Sequence, residues 1–314
     1  MTPPNQPPPQ AVAELPVVAT VLGAFASVAG QLGLVARAAK GAILLLVSAS
    51  LLSLLLPGGG GSSFFMFLIS LAAASHFGIN WCRAMLLGPT GLPARSLAWR
   101  PPHWRFLGYS LLMVLIMLLV VFPMSIIGSV FASLLGLADS PDDLGAALGL
   151  TFMLVLLGMF YVLARLGFIF PAIAMEENYG LGLARQHTAG LGGLRVAAAL
   201  TLAGLPLAIA QILLTAFLLQ SFFGVSFSDL MPQMPQPDGS PPAIAQTMEI
   251  EPPSVVGILL FNLISAVANF LSFAVVFSVL CLAFRTCTGW VPATQNLPTA
   301  PRDDDEPGNG GATT

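Results

Sequence analysis

Apolar residues run along this chain in blocks too long for the alternating faces of a soluble fold. Five long blocks and one shorter one stand out, at about 41–57, 63–84, 106–137, 144–170, 195–224 and 254–285. A helix needs roughly 20 predominantly apolar residues to cross the hydrocarbon core of a bilayer. The first block is near that minimum. Several others exceed it, which implies tilt, kinks or extension past the bilayer. Pro123 and Pro206 interrupt the third and fifth blocks and are the kink sites. The fourth opens on Ser140-Pro141-Asp142-Asp143: a capping serine, proline at the first helical position, and acids at the positive end of the helix dipole. The pattern predicts an all-α fold, an integral membrane bundle of six transmembrane helices.

The segment ahead of the first block reads differently. Val18, Val21, Phe25, Val28, Leu32 and Val35 recur three and four apart, with Thr20, Ala24, Ser27 and Gln31 opposite. That stripe predicts an amphipathic helix lying on the membrane or against the bundle within residues 11–37. The segment is also long enough to span, which leaves open a seventh crossing with the N-terminus outside. Mildly amphipathic, glycine-containing segments recur at about 84–100 and 176–193, ahead of the second and third pairs of blocks. Each pair ends on an arginine, Arg83, Arg165 or Arg285, so interfacial segment, span, span and exit arginine form a weak threefold hairpin repeat. The expected organisation is a disordered Pro-rich leader at 1–10, a membrane domain at 11–285, and a disordered acidic tail at 286–314.

Composition agrees with the pattern. The chain is 56% hydrophobic and 8% charged over 314 residues, where a soluble domain would be about a quarter charged. Its cations carry the topology. With six crossings, all 11 Lys and Arg fall on one side. Of the opposite loops, Gly58–Ser62 is uncharged, and Ala138–Asp143 and Val225–Ser254 hold only acids. Cytoplasmic loops are the ones enriched in Lys and Arg, so both termini are expected in the cytoplasm. Ten Arg against a single Lys, with abundant Ala, Gly and Leu, suit a GC-rich bacterial genome. Trp81, Trp99, Trp104 and Trp290 sit near the same ends, as interfacial anchors would. Cys82, Cys281 and Cys287 lie on the reducing side, where no structural disulfide is expected. MTPPNQPPPQ has neither a basic n-region nor a short apolar h-region, so no cleavable signal is expected.

Arg165 shows how a charge ends a span. Counted from Leu144 it lies roughly 31 Å along the helix, at the far edge of the hydrocarbon. There it can snorkel to the headgroups. Pro171 disfavours helical geometry at Phe170, so the segment to Met175 is expected along the interface, before Glu176 and Glu177 reach water. Arg165 with Phe170-Pro171-Ala172-Ile173-Ala174-Met175-Glu176-Glu177, then Gly180 to Arg185 and Thr188-Ala189-Gly190, resembles a group of multi-pass bacterial inner-membrane proteins. These are related to the membrane domain found beside some glycerophosphodiester phosphodiesterases. The resemblance covers about residues 15–285 and implies a helical bundle with amphipathic segments between hairpins. It implies no activity, and this sequence carries no soluble phosphodiesterase domain.

Catalytic motifs are absent. His76, His103 and His187 are far apart, with no His-Glu-x-x-His and no Cys/His cluster at zinc spacing. No nucleophile elbow or P-loop occurs, and Asp139 has no second intramembrane Asp to form an acid pair. Met231, Met234 and Met248 in the outer loop are a weak soft-metal set without Cys or His. No basic cluster suggests nucleic acid, and no cofactor or metal is expected. What remains is polar residues inside apolar blocks. His76 and Asn80 lie one turn apart in the second span; Asn262, Ser265, Asn269 and Ser272 follow one face of the sixth, and Gln211 with Thr215 the fifth. Such residues form interhelical hydrogen bonds or line a polar path. Gly128, Ala132 and Gly136 have small-xxx-small spacing for close helix contact, within the chain or between copies. Arg83, Arg165 and Arg285 are topological anchors or contacts for anionic headgroups. Two readings follow. One is a non-catalytic protein that organises partner proteins or lipids in the cytoplasmic membrane. The other is a small-molecule or lipid permease using the polar faces of spans two, five and six.

Overall fold

A computed structural model describes residues 14–55, 60–93, 97–136, 144–177, 179–224 and 254–291. Among these the chain is helical without a strand: α1 Val17–Gly30, α2 Leu32–Leu55, α3 Gly60–Leu87, a 3-10 turn at Pro89–Gly91, α4 Pro101–Leu134, α5 Leu144–Leu166, α6 Ile169–Ala174, α7 Leu181–His187, α8 Leu191–Phe223 and α9 Val255–Thr288. Six helices, α2, α3, α4, α5, α8 and α9, are long and apolar enough to cross a membrane. The leader, the Ser140–Asp143 cap, Asp139, the three outer-loop methionines, Arg95 and the acidic tail lie outside the described residues.

The most extensive contacts join α2 to α3, α4 to α5 and α8 to α9, so the chain is built as three helical hairpins. The last helix is the centre. Half of the apolar window of α9 is buried, against 11% for α4 and α5, and α9 touches α1, α2, α3, α6 and α8. The outer pair exposes Leu119, Phe122 and Leu134 at 77%, 72% and 76%. Soluble monomers rarely show so continuous an apolar surface, and here hydrocarbon would cover it.

Several boundaries move. The first span begins at Leu32, because the helix continues unbroken through Arg37 and Lys40. The preceding helix α1 has only 14 residues, about 21 Å at 1.5 Å per residue, so it is too short for a seventh crossing. A break at Gln31 separates the two. The buried face is broader than the apolar stripe: α1 buries Val21 and Val28 of the stripe together with Thr20 and Ala24 from the side opposite, against α8 and α9, while Val18 is 61% exposed. Small side chains join the buried face because they let α1 approach its neighbours closely.

The fourth span stops at Leu166, and Phe170 is helical after all. Pro171 is the third residue of α6, where its missing N–H would have no intrahelical partner. All six residues of α6 are buried against α3, α4 and α9. The segment expected along the interface is therefore a core plug. Trp81 changes role too. It is fully buried, and its indole N–H donates to the Ala274 carbonyl at 2.9 Å and to Ser278 Oγ at 3.0 Å. It is a core residue between α3 and α9, while Trp104 is 66% exposed, as an anchor would be.

The connector from α6 to α7 holds Tyr179, half-buried, stacked on His187 with centroids 5.9 Å apart. Its hydroxyl has no hydrogen-bond partner among the described residues, and burial, with Cys287 beside it, pushes the phenol above its ordinary value. An acid whose folded pKa is raised keeps its proton after the unfolded chain has lost it. Stability is then lost as pH rises above about 10. Tyr179→Phe should flatten that alkaline loss and cost little at neutral pH, because the orphan hydroxyl goes with it. Denaturation midpoints of both proteins from pH 8 to 11 check this; parallel curves would refute it.

Candidate functional site

The exit arginines occupy equivalent places, near the end of α3 and in the last turns of α5 and α9, but they do not do equivalent work. The Nη1 of Arg83 donates to the Ala174 carbonyl at 3.1 Å and to Glu176 Oε1 at 3.0 Å, while its Nε reaches the Gly91 carbonyl at 3.3 Å. It ties the first hairpin to the end of α6. Glu176 sits in the left-handed region at φ 62°, a conformation disfavoured for a residue with a Cβ, and the Arg83 contact helps to hold it there. Glu177 accepts from the Trp290 indole at 3.4 Å. Arg165 donates to the Thr188 carbonyl, and the Thr188 hydroxyl returns a bond to the Arg165 carbonyl at 3.0 Å. Gly193 makes room for this tie; a Cβ there would lie 3.0 Å from Arg165 Nη1. Both guanidinium groups are thus engaged inside the fold, Arg83 by two carbonyls and a carboxylate and Arg165 by one carbonyl, so that Arg165 forms a tie between hairpins.

Arg285 is different. It is exposed, and its side chain has no hydrogen-bond or ion-pair partner among the described residues. It lines a groove of about 690 Å³ where α1 meets α2 and α3 ends beside α9. Arg37 lines the same groove and is likewise exposed and uncommitted. Gln31, three glycines (Gly30, Gly33 and Gly88) and apolar Leu34, Met85 and Leu282 complete most of the wall, which contains no acidic side chain among the described residues. In sequence Arg37 was one cation among eleven; its pairing with Arg285 needs α1 and α2 to fold back on the C-terminal end of α9.

The polar residues of the spans fall in three separate places. His76 is fully buried, its Nε2 3.1 Å from the Asn80 amide nitrogen within α3. His103 stacks on His76 at a centroid distance of 5.1 Å, and Trp99 adds a third ring 6.0 Å from His76. The backbone N–H of Arg100 donates to His103 Nδ1 at 3.1 Å. His103 Nε2 and Trp99 Nε1 are buried without partners among the described residues. Asn80, Arg83, Arg100 and His103 border a cavity of about 20 Å³, room for one water-sized molecule. Trp99 and His103 had not been singled out for this cluster; their signal was the aromatic and histidine run Trp99-Arg100-Pro101-Pro102-His103-Trp104 that leads into α4. Asn262 and Asn269 lie elsewhere, lining a groove of about 380 Å³ with Ser50, Ser70 and Ser265 among leucines of α2 and α9. Gln211, on α8, borders neither space.

Of the small residues, Gly128 does pack. A Cβ there would lie 2.8 Å from the Thr151 Cα, so α4 and α5 touch backbone to backbone at this point. Ala132 is buried as well. Gly136 is beyond the helix, in the turn after α4 at φ 69°, where its conformational freedom matters and its size does not. Neither a family model, nor a curated protein, nor a solved structure matches the chain, so any functional reading must rest on this geometry.

Proposed function

We propose that this is a non-catalytic multi-pass protein of a bacterial inner membrane, with both termini cytoplasmic, that holds an anionic lipid or a membrane-protein partner at the basic end of its bundle. One observation carries the reading. Arg83 and Arg165 bond to groups inside the fold, whereas the side chains of Arg37 and Arg285 face an open groove and have no hydrogen-bond or ion-pair partner among the described residues. Cations kept together and unpaired cost electrostatic energy and invite an anion from outside the chain. The bundle is itself the bilayer-spanning support for that groove.

Native mass spectrometry of the protein, released gently from its own membrane, tests the reading. A retained lipid or a stoichiometric protein partner is the expected result, and a bare monomer would refute it. Reporters at residues 60, 140 and 240 should read as external; a cytoplasmic signal at any of them would overturn the orientation. The permease reading has one observation in its favour, the Asn262–Asn269 groove, open between α2 and α9 and lined by three serines. Water-accessible cysteines at 262 and 269, and a substrate that protects them, would move the assignment there.

A further inference from the structure

We infer that the groove between Arg37 and Arg285 binds the phosphate ester of a glycerophospholipid headgroup, the two guanidinium groups holding its oxygens; this rests on the reading of the basic end as a holding site. Charge sets the sign of the ligand. Two arginines line the wall and no acid does among the described residues; guanidinium forks bind phosphate oxygens bidentately, as they do carboxylates, and at a membrane surface the anion close at hand is the headgroup phosphate. The backbone adds to this. Helix α2 starts at Leu32, and Gly33 and Leu34 of its first turn line the groove, which puts the positive end of its dipole at this wall, although the Leu34 N–H itself is held by the Gln31 carbonyl. A Cβ built on Gly30, Gly33 or Gly88 would meet nothing within 4 Å. The main chain is therefore open to a polar group on that side.

Two further features argue for a lipid over a bare anion. The C-terminal turns of α1 and α3 also reach the groove, through Ser27 and Gly30 and through Ala84 and Met85. Their last carbonyls are acceptors, useful to hydroxyl or ammonium groups of a headgroup and useless to phosphate. Leu34, Met85 and Leu282 then give the same wall an apolar part, suited to the glycerol ester region. A volume of about 690 Å³ falls within the roughly 300–1,000 Å³ typical of small-molecule sites. Arg37 and Arg285 come from different hairpins, so an occupied site would clasp the first hairpin to the third, as Arg83 and Arg165 clasp the others internally.

The test uses the full chain in detergent micelles, titrated with dioleoyl phosphatidylglycerol and followed by native mass spectrometry. One lipid should bind tightly, and sn-glycerol 3-phosphate at millimolar concentration should not displace it. Arg37→Gln/Arg285→Gln should weaken the lipid by about tenfold or more, the loss expected for charge-assisted bonds. Arg105→Gln/Arg185→Gln removes the same charge from exposed positions outside the groove and should leave affinity within about twofold. Without added lipid, all three proteins should melt alike, since the four substituted side chains are exposed. Equal weakening in both double variants would overturn the site, reducing it to bulk charge. Displacement by glycerol phosphate would overturn the lipid and leave a soluble phosphate ester as ligand. A native complex with a protein partner and no lipid would overturn this ligand alone, while a bare monomer would remove the holding role as well.

Discussion

Trp81→Ala should destabilise the bundle by about 3–5 kcal/mol, the cost of truncating a fully buried aromatic side chain. Two losses combine. The indole packs against Phe77 in the cluster that contains Phe270, Ala274 and Phe284, and those dispersion contacts vanish if the site cannot collapse. The indole N–H also satisfies the Ala274 carbonyl and Ser278 Oγ. Since hydrocarbon solvates an exposed apolar side chain as well as the protein does, packing contributes more here than transfer from water. Trp81→Phe separates the terms. It retains most of the ring and should cost only about 1–2 kcal/mol, the share of the hydrogen bonds and a small void. Reversible unfolding in mixed micelles measures both. A Trp81→Ala cost under about 0.5 kcal/mol, the size of an ordinary surface change, would mean that α3 and α9 do not meet as described.

Gly128→Leu is expected to cost about 1–3 kcal/mol, the range for forcing volume into a packed interface. Here the obstacle is backbone. The new Cβ would lie 2.8 Å from Thr151 Cα and 2.9 Å from Thr151 Cγ2, so α4 and α5 must separate along their length. Gly149→Leu supplies the control, because on the neighbouring helix a Cβ at Gly149 meets nothing within 4 Å. It should be neutral or slightly stabilising, glycine being a poor helix former. The same unfolding experiment distinguishes them; equal effects would show that the close contact is absent. Crosslinking between copies should be unchanged by either, because the contact is internal to one hairpin.

Much of the architecture was legible in side-chain chemistry. Twenty or more consecutive apolar residues have one outcome in a bilayer, since every backbone group must be paired within the segment. That is why the six spans could be placed from sequence, and why the errors were at their ends. Pro171 illustrates those errors. A proline after an arginine reads as a helix stop, yet the chain begins a new short helix whose first turn tolerates it. Likewise the stripe was real in period, and Val21, Val28 and Val35 are buried as it requires, but the buried face of α1 also takes in Ala24 and Thr20, where close approach counts more than hydrophobicity.

The candidate site was legible only in part. Arg285 stood out by its place at the end of a span, but sequence treated it as the equal of Arg83 and Arg165. Which arginine is spent and which is free depends on where carbonyls from other hairpins fall, and Ala174 and Thr188 are 91 and 23 residues away from the arginines they satisfy. Arg37 and the stacked His76, Trp99 and His103 became neighbours for the same reason. Local composition, read residue by residue, was enough to determine an all-helical fold with six helices long and apolar enough to cross a membrane. Only the packing of the hairpins around α9 decided which polar groups meet, because those contacts join residues whose separation along the chain carries no local energetic signal.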